Sequence, residues 1–466
     1  MRRGVVLLAI VLVLGFAARL EGISEPWAGG HHGYNGALYS TVARNYLRHG
    51  YLALGFAPVT DPVDMKKLYL HHPPMLGIML SFVYSVFGVH EWAARLMMAV
   101  FSVANVALVF LIARRLYDNT AGLYASVFAS FFPMSVFYGT MVDVQGSMAM
   151  FFILAMALSY LKWLGGKHIG WMIALFVLGS LVEWGIYYAV LFLVIDAMIE
   201  NRVRFWGILV LPGVAVGMLM LFFAYTWVLT GSVSGGGLIG TAVQAVSGGV
   251  NGSGYERSFG IVDFIIREFQ RIVSYFTWIG AGLFMAFLFM PSRKRSDRFA
   301  LLMVLFGLSY VFLIINAAWV HDYNLYYLMP GLALASGRVM GSLHRQGRMA
   351  ALCITGLFIL MSIANVSEAR KMHDGTLFFE LGMYINENTE PGQTVMVSID
   401  YHPEISYYAD RTVVYGVRDR QGFAEGAVSY IAVQGDAGDG FFLGLLRDYP
   451  HSIHGPFLVF NVSAES

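Results

Sequence analysis

The chain has 466 residues, of which 58% are hydrophobic and only 13% are charged, and its mean hydropathy is +0.63. A soluble domain of this composition could not cover its surface with polar groups, so the sequence indicates a polytopic membrane protein. The net charge of +1 gives no sign of a nucleic-acid partner, and the single cysteine, Cys353, excludes disulfides within the chain.

Eleven apolar runs are long enough, or nearly so, to cross a bilayer, which requires about 20 residues. Residues 1–20 are basic and then apolar without a cleavage site, so we interpret them as a retained span. Basic clusters such as Arg114-Arg115 separate alternate runs, which predicts a cytoplasmic N-terminus and an external C-terminus. The runs lie at about 4–20, 91–113, 119–140, 145–162, 168–183, 185–199, 205–230, 268–290, 299–317, 324–342 and 349–366.

The segment HHPPMLGIMLSFVYSVFG, residues 71–88, does not fit this alternation. It has only about 14 residues after Pro73 and Pro74, which is short for a crossing. A full span here would also place Arg114 and Arg115 outside. We therefore predict a re-entrant or outer-leaflet helix that begins at the prolines, with a tilted full span as the alternative.

The first external loop, residues 21–90, contains GGHHGYNGALYSTVARNYLRHG. From Ala37 to Arg48, apolar residues recur at helical spacing among polar ones, which predicts an amphipathic helix at the membrane surface or a simple interfacial anchor. Asn35 and Tyr39 are four residues apart and would share a face. Three glycines would let the backbone bend closely around a ligand, namely Gly30, Gly33 and Gly36.

Two histidine pairs lie in this loop, His31-His32 and His71-His72. Neutral imidazole is a common metal ligand, but no cysteine or acidic residue nearby in the sequence completes a site. A structural or hydrogen-bonding role is therefore favoured. A divalent metal bound with the help of Asp143 stays open but is not favoured, and no other cofactor is implied.

Further ionisable side chains lie in the external turns between apolar runs. Asp143 follows one run in YGTMVDVQG, and an ionisable residue at membrane depth is a functional candidate by default. Glu183 and the pair His321-Asp322 occupy similar turns. Solvation at a helix end is the alternative for Asp143, and the aromatic residues in the other turns also fit an interfacial belt.

Two arginines, Arg19 and Arg95, lie toward the predicted external face, against the usual charge bias. An anionic lipid head group would explain a cation there, because a guanidinium binds phosphate through two hydrogen bonds. Snorkelling toward the interface is the alternative.

The tail, residues 368–466, differs in composition from the rest of the chain. LFFELGMYINEN is typical of a helix, and short runs rich in β-formers alternate with turn residues, as in TVMVSI, ISYYAD, RTVVYG, VSYIAV and FLVFNV. We predict a small external α/β domain here, after a mainly α membrane domain at residues 1–367. The Gly/Ser-rich loop at 231–258 would be a lid or an exposed linker.

The stretches HHGYNGALYSTVARNYLRHG, HHPPMLGIMLSFVYSVFGVHEWAARL and HDYNLYYLMPGLAL, with the turn at Asp143, resemble the GT-C glycosyltransferases. The similarity is to glycosyltransferase family 39, the dolichyl-phosphate-mannose–protein mannosyltransferases and their aminoarabinose-transferase-like relatives. It covers about residues 5–345, and the Pro-Pro…Phe-Gly…Arg-Leu pattern is its most specific part. The resemblance implies inverting transfer of a sugar from a polyprenyl-phosphate donor to an acceptor at the external face.

The resemblance also implies positions for catalytic groups. Family members have an Asp-Glu pair ahead of a Tyr-x-x-x-Ala-Arg helix. Aligning Tyr39, Ala43 and Arg44 with that helix puts Asn35 and Gly36 where the acids should be. An asparagine cannot accept a proton from an acceptor hydroxyl, so the base lies elsewhere or the activity differs.

Displacing a phosphate from an anomeric carbon requires a base for the incoming hydroxyl and positive charge for the leaving phosphate. We expect Asp143 to be the base, working with His32 or His31. Arg95, with His71 or His72, would hold the donor phosphate. The remaining candidates for binding the donor are Asn35, Tyr39, Arg44, Glu183, His321 and Asp322.

Two other functions stay open. Asn35-Gly36 would also suit a catalytically inactive GT-C scaffold that binds lipid-linked sugar. A lipid-glycan transporter is the other alternative, although the polar candidates lie at one face rather than along the spans. The expected partners are a polyprenyl-phosphate sugar, membrane lipids, and an acceptor that is a protein, a lipid or a glycan.

Overall fold

The computed structural model describes residues 2–200, 206–232, 238–247, 259–290, 295–372, 375–416, 430–434, 449 and 451–461. The chain forms two compact units. The first, here called the membrane unit, consists of Met1–Ile23, Leu70–Leu76 and Trp92–Met372. The second, here called the loop–tail unit, consists of Ser24–Tyr69, Gly77–Glu91 and His373–Ser466. The division into domains at residues 1–367 and 368–466 stays a proposal.

Helices dominate the described part of the chain. In chain order they are Arg2–Ala18 (α1), Gly30–His49 (α2), Met75–Phe87 (α3), Glu91–Leu116 (α4), Asn119–Phe131 (α5), Pro133–Phe137 (α6), Ser147–Leu164 (α7), Gly170–Ser180 (α8), Gly185–Glu200 (α9), Val210–Thr230 (α10), Leu238–Ser247 (α11), Ile261–Leu288 (α12), Arg295–Leu313 (α13), Ile315–Val320 (α14), Met329–Gln346 (α15), Arg348–Met372 (α16), Leu377–Asn388 (α17) and Pro403–Ala409 (α18). Short 3-10 helices cover Tyr138–Thr140 and Asp322–Leu328.

The apolar runs predicted from the sequence each correspond to a helix or to a bent pair of helices. Among the described residues, six helices are long and apolar enough to cross a membrane, and the bent pair Asn119–Phe131 with Pro133–Thr140 would make a seventh span. The prediction of a mainly α, polytopic membrane protein is confirmed, whereas the number of eleven crossings stays a prediction. The lid or linker predicted at 231–258 includes α11, and the rest of it lies largely outside the described residues.

A proline produces the bend in this seventh span. Proline excludes the helical conformation from the residue before it, and Phe132 is accordingly extended, with φ −53° and ψ 131°. Helix α5 therefore ends at Phe131, and the chain turns by 62° into Pro133–Thr140. This turn leads directly into the loop at 141–146, which includes Asp143.

Small residues allow close helix packing in the membrane unit. A Cβ added to Gly337 on α15 would lie 2.6 Å from the backbone oxygen of Ala121 on α5, and one on Gly341 would lie 3.1 Å from the Ala121 Cβ. Two glycines four residues apart let helix backbones approach in this way. Arg19 is buried among α1, α4, α5 and α6. Its guanidinium donates to Ser102 Oγ at 2.8 Å, Ser135 Oγ at 2.7 Å, Gly15 O at 2.6 Å and Ser130 O at 3.2 Å.

These bonds use four of the five N–H groups of the Arg19 guanidinium. The side chain is only 1% exposed. Because the side chain is buried and four of its N–H groups bond within the protein, Arg19 ties α1 to its neighbouring helices, and the predicted contact with a lipid head group is wrong for this arginine.

In the loop–tail unit, α2 begins at Gly30 and not near Ala37 as predicted, so His31 and His32 lie in its first turn. Gly33 and Gly36 lie within this helix, close to the segment before it. A Cβ on Gly36 would lie 2.1 Å from the Trp27 ring, and one on Gly33 would lie 2.7 Å from the Ala28 backbone. These glycines let the preceding segment pack tightly against the helix.

Helix α2 is also more buried than a surface helix would be. Its polar residues Ser40, Thr41 and Asn45 are buried, and Asn45 Nδ2 donates to the backbone oxygens of Val59 at 3.0 Å and Asp61 at 2.8 Å. The predicted helix is present, but several of the polar side chains expected on a solvent-facing side are buried and bond inside the unit. Its position at the membrane surface stays a prediction.

The short helix α3 follows the two prolines, as predicted. It has 13 residues, and within the loop–tail unit Tyr84 bonds to Ser40 of α2 at 2.7 Å, while Ser81 bonds to Tyr51 at 2.8 Å. A re-entrant position for α3 stays a prediction.

The tail contains a five-stranded sheet of order β2-β1-β3-β5-β4. Its strands are Thr394–Val397 (β1), Thr412–Val414 (β2), Tyr430–Gln434 (β3), His451–His454 (β4) and Phe457–Asn461 (β5). β1 pairs in parallel with β2 and β3, and β5 is antiparallel to β3 and β4. The strand predicted at ISYYAD is wrong. Pro403 starts a helix there, and Ile405 and Ala409, four residues apart, are buried on one face.

Candidate active site

Asp143 lies in the loop that joins the bent span to α7. It is 4% exposed, and its Oδ1 accepts the Gln145 backbone N–H at 2.7 Å. Its backbone oxygen accepts from Gly146 N at 3.2 Å, just before α7 begins at Ser147. These bonds fix the carboxylate within the loop.

Burial determines the acidity of Asp143. It raises the pKa of the carboxyl to about 6, against the opposing effects of the Gln145 N–H and of His72, while Glu183 raises it further. A carboxylate with this pKa is largely ionised at neutral pH and is a stronger base than an ordinary aspartate. Asp143 is therefore well suited to accept a proton.

Glu183 forms the second acidic centre of the membrane unit. It is fully buried, and its Oε1 accepts hydrogen bonds from Tyr310 at 3.3 Å and Tyr327 at 3.5 Å. Gln145 Nε2 donates to the Tyr310 hydroxyl at 3.3 Å. A continuous polar network therefore runs from the Asp143 loop through Gln145 and Tyr310 to Glu183.

The second histidine pair joins this network. His72 Nδ1 lies 3.7 Å from Glu183 Oε2, and Trp184 Nε1 donates to the backbone oxygen of His71 at 2.8 Å. Met75 N also donates to Leu181 O at 3.2 Å. The structure thus brings His71 and His72 to the turn that carries Glu183, and the charge of His72 lowers the pKa of Asp143.

Asp322 forms a separate polar centre in the same unit. Its carboxylate accepts from the Tyr138 hydroxyl at 2.5 Å and, through a short bond, from the Tyr275 hydroxyl. The side chain is 9% exposed. Next to it, the His321 ring lies against Tyr323 with the ring centroids 5.1 Å apart.

Arg95 lies in the first turns of α4 in the membrane unit. It is 5% exposed, and it donates through NH1 to the backbone oxygen of Ile23 at 3.0 Å. A guanidinium in this position keeps its charge, because burial does not deprotonate arginine in proteins. Arg95 thus places a fixed positive charge in the unit that contains Asp143.

The other candidates all lie on α2 in the loop–tail unit, namely His31, His32, Asn35, Tyr39 and Arg44. Asn35 and Tyr39 are buried, at 8% and 4% exposure. Arg44 donates to the Tyr407 backbone oxygen at 3.1 Å and pairs with Asp410 at 3.2 Å. The Arg44 guanidinium thus bonds to residues of the tail.

Within the described residues, no group of three or more His, Cys, Asp and Glu side chains is arranged to hold a metal ion. The sequence did not identify four tyrosines that bond to Glu183 or Asp322, namely Tyr310, Tyr327, Tyr138 and Tyr275. A tyrosine inside an apolar run usually indicates packing or an interfacial position. Only the spatial proximity to an acid distinguishes these four, and the sequence does not show that proximity.

The family comparison covers part of the site. Residues 71–182 match the family model described as dolichyl-phosphate-mannose-protein mannosyltransferase. This segment contains His71, His72, Arg95 and Asp143, and it ends one residue before Glu183. No curated protein sequence matches the chain.

Solved structures match over nearly the whole chain. The crystal structure of ArnT from Cupriavidus metallidurans bound to undecaprenyl phosphate is 14% identical, covers 98% of this chain and 97% of ArnT, and gives a TM-score of 0.69. The apo oligosaccharyltransferase of Archaeoglobus fulgidus is 13% identical to this chain, with a TM-score of 0.60. The match covers 92% of this chain and 69% of the oligosaccharyltransferase.

The chain has the GT-C fold. The archaeal oligosaccharyltransferase AglB from Archaeoglobus fulgidus, in complex with an inhibitory peptide and a dolichol-phosphate, also matches, at 13% identity and a TM-score of 0.59, over 99% of this chain and 74% of its own. The GT-C resemblance predicted from the sequence is confirmed, as is the expectation of an integral membrane protein. In this GT-C fold, Asp143, Glu183 and His72 form the acid-rich cluster of the membrane unit.

Proposed function

We propose that the chain is an inverting glycosyltransferase that moves a sugar from a polyprenyl-phosphate donor to an acceptor hydroxyl. The observation that carries this proposal is the cluster of the buried Asp143 and Glu183 with the half-buried His72, in and next to the segment that matches the mannosyltransferase family. The lipid phosphates bound to ArnT and to AglB support a donor of this class.

Asp143 accepts the proton in the proposed step. The acceptor oxygen attacks the anomeric carbon while its proton passes to the Asp143 carboxylate. The bond between the anomeric carbon and the phosphate oxygen breaks, and the electron pair leaves with the polyprenyl phosphate. Attack from the side opposite the phosphate inverts the configuration. Asp143 has the raised basicity that this step requires.

The leaving phosphate gains negative charge and needs a cation. Arg95 supplies a charge that does not titrate, and His71 or His72 adds a second donor on the side of Glu183. Positive groups aimed at developing charge contribute the largest share of stabilisation in many enzymes. In this proposal Glu183, His321 and Asp322 contact the sugar. The donor-site roles expected for His31, His32, Asn35 and Tyr39 of α2 stay predictions from the sequence.

Arg44 is not part of the proposed donor site, because its guanidinium already pairs with Asp410 and bonds to Tyr407. The proposal places the N-terminus in the cytoplasm and the tail outside. It leaves open whether the acceptor is a protein, a lipid or a glycan.

The test is the release of free polyprenyl phosphate from a panel of polyprenyl-phosphate sugars, with an acceptor extract present. Wild-type protein should release it from at least one donor, and Asp143→Asn should lower the rate by about 100-fold or more, as expected for loss of a general base. Asp400→Asn, the same change at an exposed position, is the matched control and should keep the wild-type rate. Donor binding without release by wild type would instead favour an inactive scaffold.

A further inference from the structure

The loop–tail unit contains a pocket that the proposed reaction does not use. Its volume is about 480 Å³, which lies in the range of small-molecule sites, about 300–1,000 Å³. One wall comes from α2, through Arg44, Leu47 and Arg48, and the opposite wall from the tail, through Tyr407 and Asp410.

The charges in this pocket balance. Arg48 binds Asp410 through two bonds of 2.8 Å each, and Arg44 adds an ion pair of 3.2 Å to the same carboxylate. The fourth charged group, Glu91, accepts a hydrogen bond from the Tyr408 hydroxyl at 2.7 Å. Two guanidinium groups thus face two carboxylates. Because Asp410 and Glu91 balance the charges of Arg44 and Arg48, the pocket offers no net positive charge to an anion and favours an uncharged ligand.

Hydrogen-bonding capacity remains after these pairs form. Arg48 uses two of its five N–H groups on Asp410. Asn386 donates through Nδ2 to the Ala409 backbone oxygen at 2.8 Å, so its Oδ1 can accept. Glu91 binds Tyr408 through one of its two oxygens. Donors and acceptors therefore lie side by side, as neighbouring hydroxyl groups require, since each hydroxyl both donates and accepts.

The remaining lining is apolar and aromatic. The Tyr407 and Tyr408 rings lie nearly perpendicular, with centroids 4.9 Å apart, and Leu47 and Val89 complete the surface. Leu47 is 38% exposed. Apolar walls with a few placed polar groups are typical of small-molecule sites, and they suit a molecule with a C–H face and a rim of hydroxyls.

The backbone at Asp410 supports a dedicated site. Asp410 directly follows α18 as its C-terminal cap and has the left-handed conformation, with φ 50° and ψ 41°, a conformation that glycine usually provides at helix ends. Aspartate tolerates this region better than most residues but less well than glycine. Keeping a carboxylate there holds both arginines at the pocket, and strained residues of this kind often accompany ligand sites.

We propose that this pocket binds a neutral mono- or disaccharide unit, such as the end of a glycan. The site goes beyond the proposed transfer reaction and does not depend on it. If the acceptor of that reaction is a glycan, this pocket gives the loop–tail unit a way to hold it.

The experiment is isothermal titration calorimetry on the full chain with maltose, cellobiose, lactose and mannobiose, and with glucuronate as an anionic probe. The detergent must have no sugar head group, because a maltoside would itself occupy the pocket. Wild type should bind at least one neutral disaccharide with saturation. Arg48→Ala and Asn386→Ala should each weaken that binding at least tenfold.

Arg345→Ala is the matched control, because it removes an exposed ion pair of 2.7 Å with Asp118 in the membrane unit and should bind like wild type. Asn386→Ala also guards against a folding defect in Arg48→Ala, since it changes no charge. The proposal is overturned by any of three results: no saturable binding of a neutral disaccharide, wild-type affinity in both pocket variants, or tighter binding of glucuronate. None of these results would affect donor cleavage, so the two proposals fail separately.

Discussion

Asp143 shows how a single buried side chain connects stability with activity. Burial raises its pKa from 3.8 to about 6, which corresponds to on the order of 3 kcal/mol between the two protonation states. Between these two pKa values the folded chain binds more protons than the unfolded chain. Its stability therefore falls as the pH rises through this window, and the full penalty is present above about pH 6.

Asp143→Asn should remove this penalty. We expect the variant to be more stable than wild type at pH 7.5, with the difference shrinking as the pH approaches 4. Thermal unfolding of both proteins, followed by intrinsic fluorescence across this range, measures the effect. Equal midpoints at pH 7.5, or a difference that grows toward low pH, would contradict the burial of an ionised Asp143.

Glu183 should act through the residues that it holds. In Glu183→Gln, His72 loses the carboxylate that lies 3.7 Å from its Nδ1, so the ring is held less firmly at the proposed phosphate site. We expect the KM for the donor at pH 7.5 to rise several-fold more than kcat falls, because phosphate binding weakens first.

Tyr310→Phe is the control for Glu183→Gln. It removes only the hydroxyl between Gln145 and Glu183, a change worth about 1 kcal/mol, and leaves every charge in place. Equal effects of the two variants on KM would mean that Glu183 acts through hydrogen bonding alone.

Sequence reasoning identified Asp143, Glu183 and His72 one at a time, from ionisable groups in external turns. It did not pair them, because the histidine and the glutamate are joined only through the fold. The tyrosines around the acids were missed for the same reason. At the scale of residues, the sequence revealed the chemistry of the candidates but not their contacts.

At the scale of elements, the packing of α2 depends on a glycine. A Cβ on Gly36 would lie 2.1 Å from the Trp27 ring, and Trp27 is fully buried. We expect Gly36→Ala to destabilise the protein by about 1–3 kcal/mol, the usual range for overpacking. Gly356→Ala is the matched control in another helix, where nothing lies within 4 Å of the added Cβ.

Thermal unfolding of the two glycine variants separates packing from helix propensity. Gly356→Ala should be neutral or slightly stabilising, because alanine favours a helix more than glycine does. A Gly36→Ala variant as stable as wild type would show that Trp27 does not pack against this position.

Most helices were predictable because apolar runs of this length have few alternatives in a membrane protein. The short tail elements were less so. The β-branched and aromatic residues of ISYYAD suggested a strand, but the proline at 403 starts a helix whose buried face follows helical spacing. Over only seven residues, the periodicity of apolar side chains distinguishes a helix from a strand poorly.

At the scale of the whole molecule, the predicted eleven crossings place the turn at Lys167 in the cytoplasm and Glu387 outside. This orientation can be tested with single cysteines at these two positions in a Cys353→Ser background. Intact cells are treated with a membrane-impermeant maleimide, which labels only cysteines outside. We expect Glu387→Cys to react directly and Lys167→Cys to react only after permeabilisation. The reverse pattern would invert the proposed orientation.

The composition of the loop–tail unit was not predictable. Residues 24–69 and 77–91 precede the tail by some three hundred positions, yet they form one compact unit with it. Neither composition nor periodicity signals such an association, which depends on specific contacts such as the pairing of Arg48 with Asp410.

The pH dependence of kcat/KM tests most directly whether Asp143 is the base. It is measured for sugar transfer from the polyprenyl-phosphate sugar that the protein cleaves. If Asp143 is the base, kcat/KM should fall tenfold per pH unit below an inflection near pH 6, and the residual activity of Asp143→Asn should lack that inflection. A wild-type profile that is flat from pH 5 to 7, or an unchanged inflection in the variant, would contradict the assignment of Asp143 as the base.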